Sequence, residues 1–321
     1  MGPLRAIVGP TAAGKSAIAM SLAGRHGAAI VSADSRQVYR GFDIGTAKPS
    51  ADEQRRVPHY GVDVADPEER YSAARFADDA RGWIDDAAAR GLTPLVVGGT
   101  GFYVRALVEP LASAPELGGA LDPRRRAALG AFLDAMSFGE LARWVATLDP
   151  ARAHLGRTQL VRAIETALLT GRRLSDLHAA SAPSPAIEAS YLVVDPGREV
   201  LARRIEDRVD AMLAAGWLDE VRRLASSVPP GAPAWTGTGY DALRRHVGGE
   251  ITLDEARREV IVATRQYAKR QRTWFRHQLP EDRVTRLDPL APDAGDRLAA
   301  WWRGAAPASL RATPPGDEDA T

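Results

Sequence analysis

The chain has 321 residues, enough for one large domain or two ordinary ones with a real core. It is 45% hydrophobic and 26% charged with a net charge of +1, and it has no cysteine, which excludes disulfides and thiolate metal sites. No apolar run approaches the ~18 residues that span a bilayer, and Met1 to Arg5 leads straight into an apolar strand, so a cytoplasmic protein without a signal peptide is expected.

In chain order, Leu4 to Val8 reads as a buried strand. Next come Gly9-Pro10-Thr11-Ala12-Ala13-Gly14-Lys15-Ser16 and a helix from Lys15 to about Arg25. Ala28 to Ser32 is a second apolar strand, ending at Asp34, and a polar, Gly-rich stretch runs on to Pro49. Tyr60 to Val64 reads as a third strand. Residues 72–90 have helical spacing in Phe76, Ala80, Trp83, Ile84 and Ala87, and Leu92 to Val97 is a fourth strand closed by Gly98-Gly99-Thr100. Alternating strand and helix argue a parallel sheet covered on both faces.

From about Ser113 to Pro185 no strand is evident, and helices are expected at 123–136, 139–148, 158–170 and 172–179. Ala189 to Val194 resumes the sheet, followed by a helix carrying Val200, Leu201, Ile205, Val209 and Met212 on one side. Another helix runs from about Leu253 to Arg276, and the Pro-rich, then acidic end is expected to be disordered. The fold class is therefore α/β: a P-loop kinase-like parallel sheet covered by helices, with an all-helical insertion domain. Residues 1–112 and 186–308 form the core, 113–185 the insertion and 309–321 the tail.

Gly9-x-x-x-x-Gly14-Lys15-Ser16, between a strand and a helix, is built to hold a di- or triphosphate. Its backbone N–H groups turn inward, and the helix N-terminus adds positive potential. Lys15 reaches terminal phosphate oxygens and the Ser16 hydroxyl completes a Mg²⁺ shell. A nucleotide hydrolase normally has an apolar strand ending in a metal-binding Asp. Here Leu95-Val96-Val97 runs into glycines, and only Val62 to Asp66 offers such an acid.

Asp34 sits at the carboxyl end of a strand read as lying beside the one that feeds the phosphate loop, where open α/β sheets bind ligands. An acid there can coordinate Mg²⁺, cap a helix or act as a base. Ser35, Arg36, Gln37 and Tyr39 add donors, acceptors and an aromatic face, a mix suited to a heterocyclic base. Of 42 basic residues only Lys15, Lys48 and Lys269 are lysine, and in an Arg-rich background a lysine marks a place where a guanidinium fork does not serve. At 100° per residue, Arg258, Arg265, Lys269, Arg272 and Arg276 share one face of the 253–276 helix. Val260, Ala263, Tyr267 and Trp274 lie opposite, read as core. The basic stripe suits a phosphate backbone.

The stretches GPTAAGKS, DSRQVYRGFDIGTAKP, VVGGTGFYVRAL, RIEDRVDAML and ATRQYAKRQRTWFR, in this order from Ile7 to about Arg276, together resemble the tRNA dimethylallyltransferases, also called tRNA isopentenyltransferases. The resemblance implies that residues 9–16 hold the diphosphate of dimethylallyl diphosphate, with Mg²⁺ at Ser16. The prenyl group then moves to N6 of the adenosine 3′ of the anticodon. It implies Asp34 as the base, Arg208 as a diphosphate contact and Thr100 near the reacting atoms. It also implies tRNA contacts at Asp34, Ser35, Arg36, Gln37, Arg162, Gly239, Tyr240, Arg265, Lys269 and Arg272, with the insertion gripping the anticodon stem of a tRNA bound to a monomer. Thr100 on its own reads equally as a helix N-cap. The sequence departs from the family's pattern at Leu155 to Gln159, although Arg157 and Arg162 remain, and at Asp241. A prenyltransferase of free adenine nucleotides and a small-molecule P-loop kinase are the alternatives.

Overall fold

The computed structural model describes residues 2–109, 123–180 and 186–304. The chain divides into two units, Met1–Val108 with Ile187–Thr321, and Glu109–Ala186.

The first unit is built on a six-stranded, all-parallel sheet. Its strands are β1 (Leu4–Val8), β2 (Ala28–Ser32), β3 (His59–Tyr60), β4 (Thr93–Gly98), β5 (Ala189–Val194) and β6 (Val284–Leu287), in the order β3-β2-β4-β1-β5-β6. The central strands are apolar on both faces, as a parallel sheet between helical layers requires. Ile7, Ile30, Leu95 and Leu192 share one face with Leu22 and Ala23 of helix Lys15–His26, Leu201 of helix Arg198–Ala214 and Trp301 of helix Ala294–Trp302. Residues of the other parity, such as Val31 and Val96, point to the opposite face, where helix Ala73–Ala89 packs on β2 and β4. There Phe76 stacks on Tyr103 of helix Gly101–Val108 at 4.5 Å between ring centres.

Two expectations about the sheet are corrected. β4 lies between β2 and β1, so Asp34 is not on the neighbour of the strand feeding the phosphate loop. The chain instead carries Asp34 over the end of β4, where Ala33 donates to the Val97 carbonyl at 2.8 Å and accepts from the Thr100 N–H at 3.2 Å. The third strand has two residues rather than five, because Gly61 and Asp63 take left-handed φ values of 77° and 56° that end the extended run. β6 escaped the sequence reading: it has four residues and an exposed Arg286 in an edge position.

Helix Leu253–His277 starts at a capping box in which Thr252 and Glu255 exchange side-chain and backbone hydrogen bonds, and it ends on Arg276 and His277 beside its negative pole. Its buried face is Ala256, Val260, Ile261, Ala268, Gln271 and Phe275. This face lies about 100° from the basic stripe rather than opposite it, and Ala263, Tyr267 and Trp274 are only half-buried. None of the described helices is long and apolar enough to cross a membrane.

In the second unit the described residues form helices Pro123–Asp134, Phe138–Leu148, Arg157–Thr170 and Leu174–Ala180 around Leu133, Leu141, Val145, Leu160, Ala163 and Ile164. Arg157 donates to the carbonyls of Leu133, Asp134 and Met136, closing the end of the first of these helices. Arg162 is exposed on the third. The tail expected at 309–321 lies outside the described residues.

Candidate active site

The loop from Gly9 to Ser16 turns sharply between β1 and its helix. Gly9 has φ 142°, and a Cβ there would come within 2.3 Å of the Val194 carbonyl oxygen at the end of β5. Ala12 and Gly14 are left-handed, with φ 62° and 97°, and successive N–H groups in such turns form an anion-binding concavity. Lys15 lies across it, its Nζ donating to the Pro10 carbonyl at 2.7 Å. Burial lowers the Lys15 pKa to about 8; Arg208 adds to the fall and Asp34 opposes it. Arg208 is itself lowered by desolvation, again opposed by Asp34. Two cations and one carboxylate thus share a poorly hydrated space that favours an added anion.

That space is a cleft of about 550 Å³. Thr11, Lys15, Ser16, Arg204 and Arg208 line its phosphate-loop side, Asp34 and Arg36 the end of β2, and Met20, Ile30, Met212 and Trp217 supply apolar wall. The arrangement joins a seat for a diphosphate to an apolar space for a small hydrocarbon, with one carboxylate nearby. Arg204 donates to the Ala13 carbonyl at 3.3 Å, bracing the loop from the same helix as Arg208.

Asp34 Oδ1 accepts the N–H of Arg36 at 2.8 Å. Residues 35–38 form turns, so Asp34 closes a turn and caps no helix. Thr100 precedes helix Gly101–Val108, but its Oγ1 accepts the Ser35 N–H at 3.0 Å and lies 3.3 Å from the Ser35 hydroxyl. Its side chain thus supports the Asp34 turn. Arg36 reaches Thr236 at 2.5 Å. Gln37 has its amide committed: Oε1 accepts from Ser32 at 2.9 Å, and Nε2 donates to Thr46 and Ala47 at 3.2 and 2.9 Å. It props the 44–47 loop over the end of β2.

The remaining candidates divide. Lys48 has a side chain only 4% exposed and donates to the Tyr39 carbonyl, Asp43 and Asp63 at 2.5–2.7 Å, so it clamps the loop after Asp34. Asp63 is thereby engaged and Asp66 pairs with Arg40 at 2.5 Å, and neither lines the cleft. Tyr240 is corrected from a surface contact to a core residue. It is fully buried and donates to Glu220, whose other oxygen accepts the N–H groups of Asp43 and Ile44. Gly239, beside it, is half-buried at φ 94°. The basic stripe is not bare: Arg265 pairs with Glu206, and Arg272 with Asp195 at 2.8 Å. Lys269 is exposed and has no ion pair among the described residues.

Sequence reasoning missed Tyr267 and Gln271, both on the cleft wall. Burial, then the nearby Asp34, pushes the Tyr267 pKa up to about 12, with Thr100 opposing. Gln271 is 6% exposed, accepts the Thr11 N–H at 2.8 Å and donates to the Gly99 carbonyl at 2.8 Å. A polar residue on the apolar side of a helix was the available signal.

The sequence model of the IPP transferase family matches residues 37–278, and that of the isopentenyl transferases matches residues 2–59. A tRNA dimethylallyltransferase of Geobacter metallireducens is 46% identical over 281 residues, covering 84% of this chain and 88% of its own. Another, of Chromohalobacter salexigens, is 41% identical over 306 residues, 93% of this chain and 96% of its own. The crystal structure of a full-length tRNA isopentenylpyrophosphate transferase from Bacillus halodurans matches with a TM-score of 0.64 at 35% identity, covering 94% of this chain and 95% of that one.

Proposed function

The chain belongs to the IPP transferase family, and from that membership we propose that it transfers the dimethylallyl group of dimethylallyl diphosphate to N6 of the adenosine 3′-adjacent to the anticodon of tRNA. The observation that carries the reading is one cleft uniting a phosphate loop, two partly desolvated cations and Asp34 beside an apolar wall.

The exocyclic amine attacks the allylic carbon. An N–C bond forms, the C–O bond to diphosphate breaks, and diphosphate leaves with the electron pair. The amine proton passes to Asp34, whose Oδ2 is not used by the turn. Lys15, Arg208 and the loop N–H groups stabilise the charge that builds on the leaving diphosphate. Thr100 holds the Asp34 turn against the end of β4. Met20, Ile30, Met212 and Trp217 suit the hydrocarbon and keep water from the allylic centre.

Among the described residues no three His, Asp or Glu side chains cluster as a protein-built metal cage would need. Mg²⁺ in a phosphate loop needs fewer, because it takes one or two protein oxygens and completes its shell with phosphate oxygens and water. The Ser16 hydroxyl next to Lys15 fits that demand, and the bound ion would supply charge neutralisation on the diphosphate.

For tRNA, the proposed contacts are Ser35 and Arg36 near the cleft, Lys269 and its basic neighbours on the long helix, and Arg162 in the helical unit, which we assign to the anticodon stem. We place the enzyme in the cytoplasm as a monomer. The test is incubation with unmodified tRNA and dimethylallyl diphosphate, followed by digestion to nucleosides. The expected product is N6-dimethylallyladenosine with diphosphate released whole. Prenylated free AMP with unmodified tRNA, or transfer of labelled phosphorus, would sink the proposal.

A further inference from the structure

We propose that Gln271 is a positioning residue that sets the spacing between the phosphate loop and the Thr100–Asp34 side of the cleft. This rests on the prenyl-transfer reading above. A glutamine amide has one acceptor end and one donor end, and here each is tied to a different half of the site. Oε1 holds the backbone N–H of Thr11, inside the phosphate loop, at 2.8 Å, and Nε2 holds the carbonyl of Gly99, at the end of β4, at 2.8 Å. The approach is tight, since a Cβ on Gly99 would come within 2.3 Å of Nε2. Gly99 is followed by Thr100, whose hydroxyl takes the Ser35 N–H next to Asp34. A single buried amide therefore connects the donor seat to the proton acceptor.

The next residue, Arg272, is anchored to Asp195 after β5 at 2.8 Å, so the helix is also pinned one residue beyond Gln271. The reaction needs attacking nitrogen, allylic carbon and leaving oxygen in line, and a misplacement of about 1 Å costs on the order of 10²-fold in rate. Gln271 touches neither the diphosphate nor the base in this role; it acts through Thr11 and Gly99.

The experiment compares Gln271→Met, which keeps length but loses both bonds, with Gln271→Glu, which keeps the acceptor for Thr11 but turns a carboxylate towards the Gly99 carbonyl. Single-turnover transfer at saturating tRNA and dimethylallyl diphosphate is expected to fall about 10–100-fold in both at pH 8, with both substrate affinities within about threefold of wild type. Protonation of the introduced carboxyl recreates a donor for Gly99. Burial beside a carbonyl raises its pKa, so the Glu-to-Met rate ratio rises as pH falls from about 8 to about 5.5. The other titratable groups of the cleft, Lys15, Asp34, Arg36, Lys48, Glu53, His59, Arg204, Arg208 and Tyr267, are common to both variants and cancel in the ratio.

If the Met variant does not fold, the Glu variant is read against wild type over the same pH range. A flat ratio, an unchanged saturated rate, or rate loss matched by equal loss of both affinities overturns this inference alone. A wild-type enzyme that does not prenylate tRNA overturns the transfer reading and this inference with it.

Discussion

The carboxylate of Asp34 accepts the backbone N–H of Arg36 at 2.8 Å through Oδ1. One oxygen thus holds the turn and the other remains for chemistry, which separates two roles that the sequence alone leaves merged. Asp34→Asn keeps an acceptor for Arg36, so fold and turn should survive, but it cannot take a proton. Single-turnover transfer should fall by roughly 10²–10⁴, with tRNA and donor affinities changed little. Collapse of donor and Mg²⁺ affinity with chemistry intact at saturation would instead make Asp34 a metal ligand.

Lys15 carries the second prediction. Its pKa is lowered to about 8, so it is charged below that pH and neutral above it. Donor affinity in the wild type should therefore weaken about tenfold between about pH 7 and pH 9, as the fraction of ammonium falls. Bound diphosphate should pull the pKa back up, so binding at pH 9 takes up a proton. Lys15→Met should bind the donor weakly throughout and lack the pH step, while its tRNA affinity stays near wild type. Isothermal titration in two buffers of different ionisation enthalpy measures both quantities.

Much of the frame was legible because fully buried parallel strands are continuous apolar runs. Leu4–Val8, Ala28–Ser32 and Ala189–Val194 have the boundaries their composition predicts. Strand order was not, since an apolar run does not name its neighbour, and β4 came between the strands of Asp34 and the phosphate loop. The site shows the same division. Phosphate-binding turns are local, so Gly9 to Ser16 could be read directly. The props are not: Gln271 and Glu220 are ordinary polar residues until the fold brings Thr11 and Asp43 to them across 260 and 177 positions. The stripe on helix Leu253–His277 was visible as charge, but its acidic partners Glu206 and Asp195 lie on other segments.

Glu220 supports the loop that follows Asp34. Its carboxylate accepts the N–H of Asp43 and Ile44 at 3.0 and 2.7 Å and the hydroxyl of Tyr240 at 2.7 Å. Glu220→Ala leaves these donors buried without partners and should cost about 3 kcal/mol of stability. Tyr240→Phe removes only the hydroxyl and should cost about 1 kcal/mol, with tRNA affinity and its salt dependence unchanged. Urea unfolding and tRNA titration check the pair. A Tyr240→Phe variant of normal stability but tRNA affinity reduced tenfold or more would return Tyr240 to the RNA surface.

The basic stripe should separate by ion pairing. Removing one cation from the phosphate backbone lowers the slope of log K against log salt by about 0.7–0.9. Lys269 and Arg276 are exposed and have no ion pair among the described residues, so alanine at either should reduce the slope by about that amount. Arg265 already faces Glu206, so Arg265→Ala removes a cation whose field is partly cancelled and exposes an acid. Its slope change should be smaller, and Glu206→Ala should strengthen tRNA binding. Arg272 pairs with Asp195 on the far side of Gln271, and its loss should appear mainly as slower transfer at saturating tRNA. Titrations from about 50 to 300 mM salt, run beside single-turnover assays, distinguish the three behaviours. Equal slope changes at all four positions would mean that tRNA breaks both ion pairs on binding, and an unchanged slope at Lys269 and Arg276 would place the RNA elsewhere on the protein.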